Sequence, residues 1–311
     1  MNPIPPLRPG SAVQVVAPSG VVPREAFDRG VGVLRGWGLE VRWAPRVFDR
    51  RHYLAGPDGD RAREWVEAFR DPGVAGVLAA RGGFGAMRIL EAVDARPHRP
   101  ARPRLFMGFS DLTALHVLRF RQGCMGIHGA NVTTLAGLDA HSLERTRRAL
   151  FGEDPAGTFR WEGLRPIRGG RGEGRLIAGN LSLICALMGT RFEAPMAGCI
   201  WVVEDVHEPP YRLDRLLVQV GLARQAGRLR GLVVGDLGIG DQDPEAREAV
   251  AEALDRLAGR IGCPVVGGFP AGHRGPLHPV PVGAMAALDG DQGVLQVIED
   301  PCGGGWGPSA G

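Results

Sequence analysis

Through the first half of the chain, short apolar, β-branched runs alternate with longer amphipathic stretches, and few architectures accept that pattern. Parallel strands covered on both faces read as continuous apolar runs, and each needs a crossover, usually a helix, before the next. Ala12 to Ala17, Glu40 to Ala44, Val74 to Ala79 and Leu105 to Met107 read as such strands. Between them, Arg24 to Trp37, Gly59 to Arg70 and Ala86 to Val93 read as helices, the second stopping at Asp71-Pro72. The expected fold class is therefore α/β, with a parallel sheet in the N-terminal half.

Between Phe151 and Gly174 the sequence turns rich in Gly, Pro and Arg, which reads as a connection between domains. The expected division is an N-terminal α/β domain over 1–152, a linker over 153–173, and a smaller β-rich α/β domain over 174–302. The glycine-rich tail at 303–311 is expected to be disordered. In the second half, Arg175 to Ile177, Cys199 to Val203, Gly231 to Gly235, Pro264 to Gly267 and Val294 to Ile298 read as strands, with helices at Leu181 to Met188 and Arg212 to Gln219.

Composition narrows the chemistry. All 37 residues counted as Lys or Arg are Arg, so a Ser-Lys dyad, a Schiff-base lysine and a lysine-bearing phosphate loop are excluded. A formal charge of only +3, with no long block of like charge, speaks against a nucleic-acid partner. No apolar stretch approaches the ~20 residues of a membrane span. The N-terminus begins with prolines and lacks the basic-then-apolar order of a secretory signal, and the five cysteines are odd in number with no Cys-x-x-Cys pair. A reducing cytoplasm is the expected compartment. There is no His-Glu-x-x-His, no Cys/His cluster and no acidic calcium loop, so no metal or other cofactor is expected.

Four places carry possible chemistry. Gly108-Phe109-Ser110-Asp111 is the first half of a nucleophile elbow, the glycine permitting a sharp strand-to-helix turn, but Leu112 stands where a second glycine would complete it. Ser110 would serve equally as a helix N-cap. Arg81-Gly82-Gly83-Phe84-Gly85 follows a strand and precedes a helix, so its amides suit an anion or only a close packing of the two elements. Glu204 ends an apolar run, as a strand-end carboxylate that orients a histidine or pairs with Arg212. His273 lies in a Gly- and Pro-rich loop after a strand, a setting for function or for an ordinary surface histidine.

Together the segments resemble the LD-carboxypeptidase family of serine peptidases, family S66. The resemblance is carried by Val15-Val16-Ala17-Pro18-Ser19, by Arg81 to Gly85 with Arg88, and by Gly108 to His116. Glu204-Asp205-Val206-His207-Glu208 with Tyr211 and Arg215, and Gly268 to His273 with Pro281 and Gly283, complete it. It implies a flavodoxin-like, class I amidotransferase-like first domain and a Ser110, Glu204, His273 triad. It further implies an oxyanion hole from the amide of Asp111 with Gly82 or Gly83, and release of D-alanine from murein tetrapeptides in peptidoglycan recycling by a homodimer. Arg81 is the candidate reader of a substrate carboxylate, or else pairs within the fold, and Asn180 hydrogen-bonds substrate or caps the helix beginning at Leu181. Phe84 and Phe109 stand where many members have Tyr. Within the same fold the alternative is cleavage of peptidyl-nucleotide antibiotics, as in microcin C immunity. Outside it, the alternatives are a noncatalytic muropeptide-binding protein and a glutamine amidotransferase, the last expecting cysteine where Ser110 stands.

Overall fold

The computed structural model describes residues 1–95, 103–153, 159–240 and 242–302; the tail at 303–311 lies outside them. Strands β1 (Ala12–Val16), β2 (Glu40–Trp43), β3 (Gly76–Ala79), β4 (Leu105–Gly108) and β5 (Gly126–His128) form a parallel sheet, separated by helices at Arg24–Gly36, Asp58–Arg70, Ala86–Asp94 and Thr113–Arg121. All residues of β3 and β4 are buried, as expected of central strands with helices on both faces.

A second sheet takes β6 (Arg160–Trp161), β7 (Arg165–Arg168), β8 (Arg171–Asn180), β9 (Cys199–Glu204), β10 (Gly231–Val234) and β11 (Val265–Gly267). The chain then returns to the first sheet as β12 (Val280–Val282), antiparallel to β5, before closing the second with β13 (Met285–Asp289) and β14 (Val294–Val297). The orders are β12-β5-β4-β3-β1-β2 and β6-β14-β13-β8-β9-β10-β11-β7, with β8 to β11 parallel and the flanks antiparallel.

The segment read as a linker is thus partly sheet. β6 and β7 and the first residues of β8 fall within 153–173, so the second sheet begins before Gly174. β7 holds Pro166 and is an edge strand, as β12 with Pro281 is the edge of the first sheet. An edge is where a strand tolerates the loss of a backbone donor; Pro166 helped to make its segment read as a linker, and Val280–Val282 was not among the expected strands.

Apolar packing joins the two sheets. One buried cluster runs from Trp65, Phe106 and Leu115 to Ile177, Trp201 and Val265; another joins Val13, Leu78 and Met107 to Ile200, Val233 and Val266. The C-terminal ends of β4 and β9 therefore face a common cleft from fixed platforms, and their terminal residues lead to Ser110 and Glu204.

Within this core Glu64 is an exception. It is 6% exposed, Oε1 has no partner among the described residues, and burial pushes its carboxyl up to about 7 from an ordinary 4.5. Between those two values the native state holds a proton that the unfolded chain has released, so stability falls as pH rises through this window. A shift of this size corresponds to roughly 3 kcal/mol. Glu64→Gln cannot ionise, so its stability relative to wild type is expected to rise by up to about that amount between pH 4.5 and 8. Denaturant titrations at the two pH values check it, and a constant difference would contradict the assignment.

Candidate active site

Ser110 stands two residues after Gly108, the end of β4, and adopts φ 67°, one of three non-glycine positive φ values among the described residues. A side chain rarely takes that conformation unless its surroundings impose it. They do so here. Asn131 accepts from the Phe109 amide at 3.0 Å, Thr113 donates to the Ser110 carbonyl at 2.6 Å, and a Cβ at Gly108 would sit 2.9 Å from Leu112 Cγ. Leu112 is itself in a right-handed conformation, φ −67°, and fills the space beside Gly108. Thus this elbow needs its first glycine and not the second.

The Ser110 hydroxyl does not cap the following helix. It lies 3.1 Å from His273 Nε2, and His273 Nδ1 lies 2.8 Å from Glu204 Oε2. Nδ1–H donates to the carboxylate, which leaves Nε2 unprotonated and able to accept from the serine. Glu204 ends β9 and is 1% exposed; burial pushes its carboxyl up, and the hydrogen bond from His273 opposes the rise. Arg212 pairs with Glu208 at 3.3 Å and leaves Glu204 to the histidine. The Phe109 ring packs on the imidazole, centroids 4.5 Å apart, and supports its orientation.

The glycine-rich turn closes on Ser110. A Cβ at Gly82 would lie 3.0 Å from Ser110 Cβ and 3.3 Å from its Oγ, so a side chain there would crowd the serine and glycine leaves it undisturbed. Two buried groups hold the turn there. Asp111 Oδ2 accepts from the Ser19 hydroxyl at 2.6 Å and from the Ala86 amide at 2.8 Å, and burial pushes this carboxyl up. The Arg61 guanidinium donates to the Gly85 carbonyl at 2.9 Å and also to the Pro18 carbonyl and Asp58. The amides of Gly82, Gly83 and Asp111 have no acceptor among the described residues, which fits donors reserved for a ligand.

The serine, the histidine and the turn line a cleft of about 680 Å³ with Arg29, Arg81 and His207. Arg81 is exposed there, its guanidinium tethered to the Val21 carbonyl. Asn180 is not in the cleft. It is buried, its carbonyl accepting from the Leu183 amide as a helix cap and its amide donating to Asp205 at 3.0 Å, so the substrate-binding expectation gives way to a structural one. Asp205 also takes 2.7 and 2.8 Å hydrogen bonds from Ser182 and thereby fixes the residue after Glu204. Sequence reasoning passed over Asn131 and Ser182 and gave Ser19 no role, because what they do depends on contacts with elements distant in the chain. His207 had a local signal in its position three residues after Glu204.

Comparison with known proteins gives the family and the fold. Residues 13–129 match the LD-carboxypeptidase N-terminal domain and residues 173–288 the LD-carboxypeptidase C-terminal domain. This chain belongs to the LD-carboxypeptidase family, S66. SCO6489 of Streptomyces coelicolor is 40% identical over 298 residues, 93% of this chain and 94% of its own. The murein tetrapeptide carboxypeptidase of Pseudomonas aeruginosa is 31% identical, covering 90% of this chain and 94% of its own. Among solved structures, the muramoyltetrapeptide carboxypeptidase of Oxalobacter formigenes superposes with a TM-score of 0.79 at 29% identity, covering 92% of this chain and 98% of that one. The microcin C7 self-immunity protein MccF superposes at 0.81 with 20% identity, covering 96% and 99%, a likeness of fold.

Proposed function

We propose that the protein is a serine-type LD-carboxypeptidase that removes the terminal D-alanine from murein tetrapeptides, acting in cytoplasmic peptidoglycan recycling as a homodimer. The observation that carries this reading is the unbroken chain from Ser110 Oγ through His273 to Glu204, set against free glycine-turn amides. His273 takes the serine proton as Oγ attacks the scissile carbonyl, and Glu204 stabilises the resulting imidazolium. The oxyanion accepts from the Asp111 amide and from Gly82 or Gly83, donors of a kind each worth on the order of 3 kcal/mol in the barrier. The imidazolium then protonates the departing amine. Water, activated by the same histidine, releases the shortened peptide from the serine ester.

The substrate names attached to the relatives support the assignment of a murein peptide. Arg29 and Arg81 give the cleft the cations that a substrate with several carboxylates requires. MccF, the relative named for microcin C7 immunity, is 23% identical, below the 31% of the murein tetrapeptide carboxypeptidase; an active-site variant of MccF replaces a serine, an asparagine and a lysine, and this chain has no lysine.

The test is release of free D-alanine from a murein tetrapeptide by the purified protein, beside a pentapeptide ending in D-Ala-D-Ala. Release from the tetrapeptide alone, unchanged by chelator, is expected. A folded protein that releases nothing from the tetrapeptide would sink the reading.

A further inference from the structure

Beyond the glycine turn, a second open cavity of about 670 Å³ shares Arg81 and Gly83 with the catalytic cleft. Its wall is built from two aromatic side chains that the fold leaves outside the core. Tyr53 is 60% and Phe84 50% exposed, yet they pack edge to face, with centroids 5.5 Å apart at 78°. The pair leaves apolar ring surface in water beside the cleft, surface that a ligand would cover favourably.

The backbone fixes this pair in place. Tyr53 stands at the tip of a two-residue turn closed by Arg51 and Leu54, which exchange hydrogen bonds of 2.9 and 3.0 Å. The Tyr53 carbonyl accepts from the Val21 amide at 3.2 Å, and the Ala55 amide donates to the Ser19 carbonyl at 3.0 Å. His52 completes the turn at φ 58°, so strained non-glycine backbone occurs both at Ser110 and at this wall. Phe84 belongs to the turn whose glycines approach the nucleophile. A ligand seated on this pair is therefore held in a fixed relation to Ser110.

The chemistry of the wall selects the ligand. Arg50 and Arg81 line the cavity, and no carboxylate does among the described residues. Two rings at a right angle offer one face and one edge, a corner and not the parallel slot that a flat base would fill. A puckered pyranose presents axial C–H groups to a ring face, and its hydroxyl and acetamido oxygens accept from the guanidinia beside it. We propose that Tyr53 and Phe84, with Arg50 and Arg81, form a subsite for the saccharide ring at the end of a muropeptide remote from the scissile bond. This rests on the carboxypeptidase reading above, and makes the glycosylated peptide the preferred substrate.

The experiment compares kcat/KM for D-alanine release from N-acetylmuramoyl-tetrapeptide and from the free tetrapeptide. The wild type is expected to favour the glycosylated substrate by about tenfold or more, the scale of one well-placed ring contact. Tyr53→Ala and Phe84→Leu are expected to bring the ratio toward 1 through KM, while Tyr53→Phe, which keeps the ring, retains it. A wild-type ratio near 1, or a preference that survives both ring removals, overturns the subsite. If neither peptide releases D-alanine, the catalytic reading has failed separately, and calorimetry with N-acetylmuramoyl-L-alanine, whose lactyl carboxyl is in amide linkage as in the substrate, decides the subsite. Binding that weakens tenfold in Tyr53→Ala upholds it. No binding to the wild type, binding unchanged in Tyr53→Ala, or binding of adenosine monophosphate in place of the sugar, rejects it.

Discussion

Ser110→Ala is expected to lower kcat for D-alanine release by a factor on the order of 10⁴ to 10⁶, the range seen when a triad nucleophile is removed. KM should move little, because the cavity, the arginines and the glycine turn are untouched. Stability should also hold to within about 0.5 kcal/mol, since the lost hydroxyl is only partly buried and its side-chain hydrogen bond is with His273. Alanine suits the φ 67° backbone no better and no worse than serine. A folded variant with wild-type release would remove Ser110 from the mechanism, whatever the geometry around it.

The strength of that expectation comes from an agreement between sequence and structure that is uneven along the chain. Gly108 and Ser110 were legible because an elbow makes a local demand: a glycine two residues before a residue in a strained conformation. The missing second glycine looked like a defect, and the packing of Leu112 on Gly108 explains why it is none. The pairing of Glu204 with His273 was different. The two lie 69 residues apart, and His273 lies 163 from Ser110, so nothing local joins them. Only the ordered resemblance of several segments at once put the three together.

Strands were legible where they were central and apolar, and obscured at the edges. Pro166 and Pro281 sit in edge strands, and Gly126–His128 is three residues long, too short for a period to register. One omission had a clear signal. The helix Pro244–Ile261 carries an Asp243 cap that accepts from the Ala246 amide, a proline at its start and Gly262 at φ 73° after its end. Its buried residues, Val250, Leu254, Leu257 and Ile261 among them, recur at helical spacing. Alanine and glycine dilute that stripe, and the eye reads a polar run instead.

Glu204→Gln is the more discriminating of the two large effects, because activity and stability should respond differently. Its carboxylate is 1% exposed, Oε1 has no partner among the described residues, and the neighbouring Asp205 carboxyl is already supplied with donors by Ser182 and Asn180. Burying that charge costs free energy, which is why its carboxyl is pushed up. A neutral amide of the same shape avoids the cost, so thermal stability should hold or rise. Catalysis has the opposite requirement. The amide can donate to Nδ1 and so favour the tautomer with the proton on Nε2, which cannot accept from Ser110, and it offers no charge to the imidazolium. A loss in kcat of about 10⁴ is expected, as for other triads altered in this way. Combined with Ser110→Ala it should add almost nothing, since the three side chains act as one unit. A Glu204→Gln protein that melts well below wild type while retaining most of its kcat would make Glu204 a structural anchor and send the search for the orienting carboxylate elsewhere.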